Sequence, residues 1–363
     1  MKNYYYTYLD NVYSWQFKNS VKKLPLGQIN YHKKNFLRYF NENIEDFKRL
    51  NILETGAGPG VHAAILCLMN ANVTAADILR SNIKKILRLK KIYKLDNLKV
   101  KQHDFRKKFK SIENYDIISC HNWIQHTPNP SLILKNLTKY NKLNSKIYLS
   151  CYHSKTFRFF ITQIARQILK VEDFKLIKQR TKFFFPKGFK KYNNPDNIYE
   201  TNITDDFFSP YVITTDFRDL SLIAKDYGLK IYRKRHKIIT KNGSAKEIVI
   251  QSKKNFYHLD DVILKVGMKK TRESKCLNIN KIYTKSHDEF QKINISSIND
   301  CIIFSKRIIK NFKKKNFKSL DRVNFCLSLY KIRAENNKEI GYRRYDILKK
   351  FLINFTDNNL LIK

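Results

Sequence analysis

The chain lacks the marks of several protein classes. No stretch approaches the ~20 consecutive apolar residues that a bilayer-spanning helix needs. The N-terminal segment has no apolar core of the kind a secretory signal carries, so a soluble, cytoplasmic protein is expected. Six cysteines, at 67, 120, 151, 276, 301 and 326, are scattered, with no Cys-x-x-Cys pair and no Cys/His cluster at zinc spacing. No metal site is therefore expected, and Cys67, Cys120 and Cys151, which fall in apolar elements, suit a reducing compartment. Acids are scarce as well, 31 Asp and Glu facing 72 Lys and Arg for a formal charge of +41. Such an excess normally points to nucleic acid or to an anionic surface. Here the lysines run along the whole chain without a single dense arm. Lys, Asn, Ile, Tyr and Phe are all abundant while Gly is 9 and Pro 7, the bias that AT-rich codons leave at tolerant surface positions. Charge alone therefore assigns no specific nucleic-acid partner, although polyanions should be attracted nonspecifically at low salt.

Glycine is rare, yet three of the nine occupy alternate positions of one short run. Residues 51 to 60 read Asn-Ile-Leu-Glu-Thr-Gly-Ala-Gly-Pro-Gly: an apolar strand runs through Glu54 into Gly56, Gly58 and Gly60. Glycine permits φ > 0 in a tight turn and removes the Cβ that would block a bulky ligand lying over the loop. The spacing separates two cofactors. A dinucleotide fingerprint, Gly-x-Gly-x-x-Gly, would put its third glycine at position 61, which is Val61. Glu54-x-Gly56-x-Gly58-x-Gly60 instead resembles the first motif of the class I S-adenosylmethionine-dependent methyltransferases of small-molecule type, in which the loop cups the amino-acid end of S-adenosylmethionine.

Three further strand ends extend the resemblance. Val73-Thr74-Ala75-Ala76-Asp77 reads as a second strand ending in a carboxylate. In the family this acid accepts both ribose hydroxyls, which implies that role for Asp77, with Ile78 on the adenine. A third strand, Leu98 to Gln102, leads into His103-Asp104-Phe105, where the family has an acid within reach of the adenine amino group; Asp104 and Phe105 take that place. The fourth strand, Tyr115 to Cys120, opens into His121-Asn122-Trp123-Ile124-Gln125-His126-Thr127-Pro128-Asn129-Pro130. This is similar to the Leu-His-His-Thr-Pro-Asn-Pro stretch of many small-molecule members. It implies that His121 and Asn122 line the cofactor and that His126 is the candidate catalytic base, an imidazole titrating near neutrality. Two departures from the family pattern, Pro59 between the last two glycines and Leu143-Asn144 in place of a Gly-Gly before the fifth strand, touch no expected cofactor contact.

Helices at about 60 to 70 and 131 to 141 alternate with these strands, and Ser145 to Tyr152 forms a fifth. A helix over Thr215 to Tyr227 stops at Gly228. Strands at about 229 to 239 and 246 to 252 follow, joined at Lys241-Asn242-Gly243-Ser244, an Asn-Gly hairpin signal. The expected fold class is α/β: a Rossmann-like seven-stranded, mostly parallel sheet with helices on both faces and one antiparallel strand. Residues 1-50 hold an aromatic cluster, Tyr4, Tyr5, Tyr6, Tyr8, Tyr13, Trp15 and Phe17, and the resemblance implies an N-terminal helical lid there. Residues 51-253 are the methyltransferase domain, carrying a substrate cap inserted at about 154-213. Within the cap, Phe157 to Leu169 is helical, while Phe183 to Gly188 and Asp205 to Tyr211 are expected as loops with exposed aromatics. Residues 254-363 are expected as a C-terminal helical appendage, with helices near 300 to 312, 319 to 334 and 345 to 355, serving partner docking or a homo-oligomer.

Three function classes follow. A methyltransferase acting on a small-molecule methyl acceptor, such as a lipid-like quinone precursor or a sugar-containing intermediate, agrees with the resemblance and the aromatic cap. A nucleic-acid methyltransferase agrees with the charge, but the fourth strand lacks the Asn/Asp-Pro-Pro-aromatic run of amino-directed members, and Cys120 lacks the preceding proline of the cytosine-C5 type. A non-catalytic cofactor-binding scaffold is the third.

Overall fold

The first strand of the sheet, β1 (Asn51–Thr55), is buried along nearly its whole length, the pattern of a strand covered on both faces. The computed structural model of the chain describes residues 23–40, 43–107, 114–150, 157–169, 173–184, 207, 209, 229–233, 262–266, 309–310, 312–314 and 316–335. In chain order the elements around β1 are α1 (Leu26–Phe40), α2 (Val61–Cys67), β2 (Asn72–Asp77), α3 (Arg80–Tyr93), β3 (Leu98–Gln102), β4 (Tyr115–His121), α4 (Pro130–Leu137) and β5 (Asn141–Ser150). The five strands are parallel in the order β3-β2-β1-β4-β5, with Ile52 opposite Val73 on one side and Ile117 on the other. Because the strands are parallel, Glu54, Asp77 and His121, at or next to the last residues of β1, β2 and β4, share the carboxyl end of the sheet. α4 begins where the sequence says it should: Asn129 caps it by accepting Leu132 N–H at 3.0 Å, and Pro130 fills the first turn, where no donor is needed.

At the β5 edge two short strands follow, β6 (Leu229–Arg233) and β7 (Val262–Val266). β7 runs antiparallel to β5 and to β6. The expected second hairpin strand at 246 to 252, its Asn-Gly turn and the helix over 215 to 227 lie outside the described residues. β7 carries the sheet past Lys253, where the sequence pattern ends.

The chain divides into two compact units. The first holds α1 to α4 and the sheet. Its core is built on α1, whose Phe36 and Phe40 stack at 5.6 Å and are at most 1 % exposed. Phe47 continues the stack at 6.2 Å, and Tyr148 of β5 meets Phe40 edge-on at 5.5 Å. Lys146 on the same strand donates to the Phe40 carbonyl at 3.0 Å, satisfying one of the acceptors a helix C-terminus leaves open. This part of the N-terminal segment is thus built into the main core, while the aromatic cluster from Tyr4 to Phe17 lies outside the described residues.

The second unit contains α5 (Phe157–Ile168), α6 (Phe174–Phe184) and α7 (Ser319–Glu335). Residues 323 to 330 of α7 are buried all round, as befits a helix enclosed by others, and α7 packs on both α5 and α6. Two expectations are corrected. Phe183 and Phe184 end a helix and do not form a loop; Phe183 is half-exposed, but Phe184 is buried. Phe207, expected to be exposed, is buried edge-on to Tyr330 at 6.0 Å. Segments more than a hundred residues apart therefore share one core. They are joined by Asp173, 0 % exposed, whose oxygens accept from Arg322 Nε at 3.2 Å and Nη2 at 3.3 Å. Arg322 is itself held by the Phe317 carbonyl and Ser319 Oγ, each at 2.8 Å. Removing one partner of such a buried pair strands the other's charge. Asp173→Ala is expected to lower the unfolding free energy by about 3–5 kcal/mol, read as a drop in the urea midpoint; a change under 1 kcal/mol would show that the pair does not join the segments.

Candidate active site

The glycine turn after β1 is left-handed at all three glycines, with φ of 58° at Gly56, 54° at Gly58 and 86° at Gly60. Two of them also need glycine because of a close neighbour. A Cβ on Gly56 would clash with the Trp123 ring, and one on Gly60 would meet Ile86 Cγ1 at 2.7 Å. Nothing lies within 4 Å of a Cβ on Gly58. Gly56 and Gly60 thus answer to packing, and Gly58 alone faces open space. Ala57 N–H ties the turn to the Ala76 carbonyl at 3.1 Å.

Asp77, at the end of β2, is turned inward. Its Oδ2 accepts Gly58 N–H at 2.8 Å; its Oδ1 accepts Leu79 N–H at 2.8 Å and Asn82 Nδ2 at 3.2 Å. Only 5 % of the residue is exposed, and burial pushes its pKa up to about 6 against the pull of these donors. The acid therefore latches the glycine turn to β2, a role its sequence position did not suggest. Ile78 is half-buried beside it, and its carbonyl accepts from Gln102 Nε2 at 3.0 Å.

Beyond β3, Asp104 is gripped by Arg106. Nε donates to Oδ1 at 2.9 Å and Nη2 to Oδ2 at 2.8 Å, and Arg106 N–H adds 3.0 Å to Oδ1. Arg106 was missed in the sequence, although an Asp bonding the residue two places on is a familiar turn signal. Phe105 is buried between His103, edge-on at 4.9 Å, and Trp123 at 5.7 Å. Trp123 was missed too. Its indole donates to Thr55 Oγ1 at 3.0 Å, and Thr55 passes the bond on to the Ser119 carbonyl at 2.8 Å, fixing the ring against Gly56. Asn122 before it is left-handed, at φ 54°, with Nδ2 3.2 Å from His121 Nε2.

Glu54 is 2 % exposed, and the environment around it is aromatic and basic. His62 Nδ1 lies 3.7 Å from Oε1, while Oε2 is buried without a hydrogen-bond partner. The His62 ring sits between His32 at 4.8 Å and His121 at 4.7 Å, and His121 stacks on Tyr148 at 5.7 Å. Burial, with His62 second, pushes the His32 pKa down to about 4, so this imidazole is neutral at physiological pH. His32 and His62 carried no signal in the sequence; only folding brings α1 and α2 to β4. Among the described residues no group of three or more His, Cys, Asp or Glu side chains is placed to hold a metal ion. An orphaned carboxylate oxygen next to an open, left-handed glycine turn fits a ligand that brings a cationic donor and lies over backbone. His126 stands apart from this group, 8 % exposed, in a short turn (Ile124–His126) where its N–H bonds the Trp123 carbonyl at 2.9 Å.

The raised acid at 77 gives a signed prediction. Its folded pKa of about 6 exceeds the ordinary 3.8, so the folded state binds more protons between these values. Its contribution to stability is present below about pH 4 and is lost as pH rises to about 6, by roughly 3 kcal/mol. Asp77→Asn is expected to flatten that part of the stability profile of the ligand-free protein, measured by urea unfolding from pH 4 to pH 7; an unaltered slope would place the titration elsewhere.

Comparison with known proteins completes the assignment. Residues 46–183 match the methyltransferase domain family. A ubiquinone biosynthesis O-methyltransferase of Rickettsia prowazekii is 28 % identical over 197 residues, 52 % of this chain and 70 % of the relative. Its counterpart in Rickettsia typhi is 30 % identical over 183 residues, 47 % of this chain and 67 % of the relative. Among solved structures, PKMT2 from Rickettsia typhi is 14 % identical with a TM-score of 0.44, covering 69 % of this chain and 54 % of that one. The glycine turn, the acids at the strand ends, the family match and the curated relatives agree: the chain belongs to the class I S-adenosylmethionine-dependent methyltransferases.

Proposed function

We propose that the protein methylates a hydroxyl of a small, partly apolar acceptor. The observation that carries the cofactor half of this reading is the buried, unpartnered Oε2 of Glu54 beside the open face of Gly58. In the proposal Glu54 and the turn from Gly56 to Gly60 hold the amino-acid end of S-adenosylmethionine, Asp77 and Ile78 the ribose and the adenine face, and Asp104 and Phe105 the adenine edge. His121 and Asn122 close the other side. The acceptor class is supported by the names of the curated relatives, which are O-methyltransferases of ubiquinone biosynthesis. β6 and β7 then complete a seven-stranded sheet, the insertion after β5 serves acceptor recognition, and the C-terminal helices serve subunit contacts.

Bound S-adenosylmethionine supplies an already electrophilic methyl group. What remains for the chain is to align the acceptor oxygen, exclude water and remove one proton. His126 is proposed to take that proton on its imidazole as the oxygen attacks, returning it to solvent afterwards. A nucleic-acid acceptor would instead make activity fall steeply with salt.

Two variants test the halves separately. Gly58→Ala, which meets no neighbour but must adopt φ 54°, is expected to cost the fold about 1–2 kcal/mol. It should weaken calorimetric binding of S-adenosylhomocysteine at least ten-fold; unchanged affinity would remove the turn from the cofactor site. His126→Ala is expected to keep cofactor affinity while turnover of a phenolic acceptor falls by about 10²–10⁴; near-normal turnover rejects the base.

A further inference from the structure

We propose that the outer face of α3 is a docking surface for an anionic lipid bilayer. The claim is independent of which acceptor is methylated. Between residues 80 and 101 nine Lys and Arg face one acid, Asp96, which leaves +8 in 22 residues against +41 in 363 for the chain. The local density is about three times the average, so general lysine enrichment does not account for it.

The helix sorts these charges onto one side. Asn82, Ile86 and Leu89 are buried against the unit's core. Arg80, Lys84, Arg88 and Lys91, spaced four, four and three apart, form a single exposed stripe on the opposite side. No acid lies on α3, and like charges four apart repel, so the stripe weakens its own helix until a counter-charge covers it. The edge strand β3 packs beside α3 and adds exposed Lys99.

Two exposed aliphatics decide the partner. Leu87 is 50 % exposed and Ile92 39 %, and at 100° per residue they flank the cationic stripe on either side. Cations with aliphatic neighbours on one helix face are the pattern of a helix lying in a bilayer interface, where the aliphatics enter the headgroup boundary and the long basic side chains reach phosphates. A nucleic acid would meet the charge but leave Leu87 and Ile92 uncovered. It would also find no ring on the stripe to stack its bases, since the α3 aromatic, Tyr93, is half-buried with its hydroxyl against the Leu24 backbone.

Flotation of the full chain with vesicles tests this. Vesicles of equal parts phosphatidylglycerol and phosphatidylcholine are expected to bind it, and pure phosphatidylcholine vesicles to leave it free. Lys84→Gln with Arg88→Gln should weaken partitioning about five-fold per charge, roughly twenty-five-fold together. Leu87→Gln with Ile92→Gln should weaken it about ten-fold or more at unchanged charge. The control pair Lys313→Gln with Lys314→Gln, exposed on the other unit, should change it less than two-fold. All six positions are exposed, and unchanged far-UV circular dichroism checks each variant's fold. The proposal is overturned if the anionic vesicles fail to bind the parent, or if the control pair loses as much as the α3 pair. It is equally overturned by indifference to the Leu87 and Ile92 changes, or by single-stranded RNA binding more tightly than the vesicles at the same salt.

Discussion

The hydrogen bond from Gly58 N–H to Asp77 Oδ2 organises the carboxyl end of the sheet. It joins the turn after β1 to the end of β2, and the other bonds to the same carboxylate define where α3 begins. Because the acid is buried, its charge has no water to fall back on. Loss of one donor would leave the carboxylate under-satisfied in a low dielectric, so turn, strand end and helix start are set together. With a pKa near 6 the group is ionised at neutral pH, and the turn meets a negative charge at its base.

The two units solve unlike problems. In the first, a sheet buried on both faces needs apolar strands, and the remaining chemistry collects at strand ends, where loops leave the core. In the second, a helix buried all round carries polar groups inward, and most of them find local partners, although Asn324 Oδ1 is buried without one. Ser328 returns its hydroxyl to the Asn324 carbonyl at 2.8 Å, and Cys326 points its thiol toward the Ala165 carbonyl at 3.9 Å. The Asp173–Arg322 pair is then a long-range tie between insertion and C-terminal region, two segments with no shared sequence signal.

β1, β2 and β4 were legible because each is short, apolar and followed by a polar or glycine stop, whereas β5 begins at Asn141, four residues before the expected start. β3 falls on Leu98–Gln102 as expected, and β2 and β4 differ from expectation by one residue. The helix α6 was not legible. Phe-Phe-Phe-Pro-Lys-Gly looks like a turn, but the helix upstream runs on through Phe183 and Phe184. At the site, the residue types were readable but their partners were not. Glu54, Asp77 and the glycines stand at fixed offsets from a strand, which spacing reveals. Trp123 against Gly56, and His32 and His62 around Glu54, are contacts between distant segments, and one-dimensional spacing carries no trace of which ring folds onto which turn.

The costs found at this end of the sheet point one way. A left-handed Asn122, a buried Asp77 with a raised pKa and a Glu54 oxygen without a partner all disfavour the ligand-free fold. The opposite end of the sheet also has left-handed residues, Asn70 before β2 and Lys94 before β3, but its acid, Asp96, is exposed, as is Lys99. A core carrying stacked Phe36, Phe40 and Phe47 tolerates that concentration of unfavourable terms because those rings are wholly removed from water. A ligand group that satisfied Glu54 would recover part of the deficit, and its binding free energy would then be coupled to the folding free energy through the same few atoms.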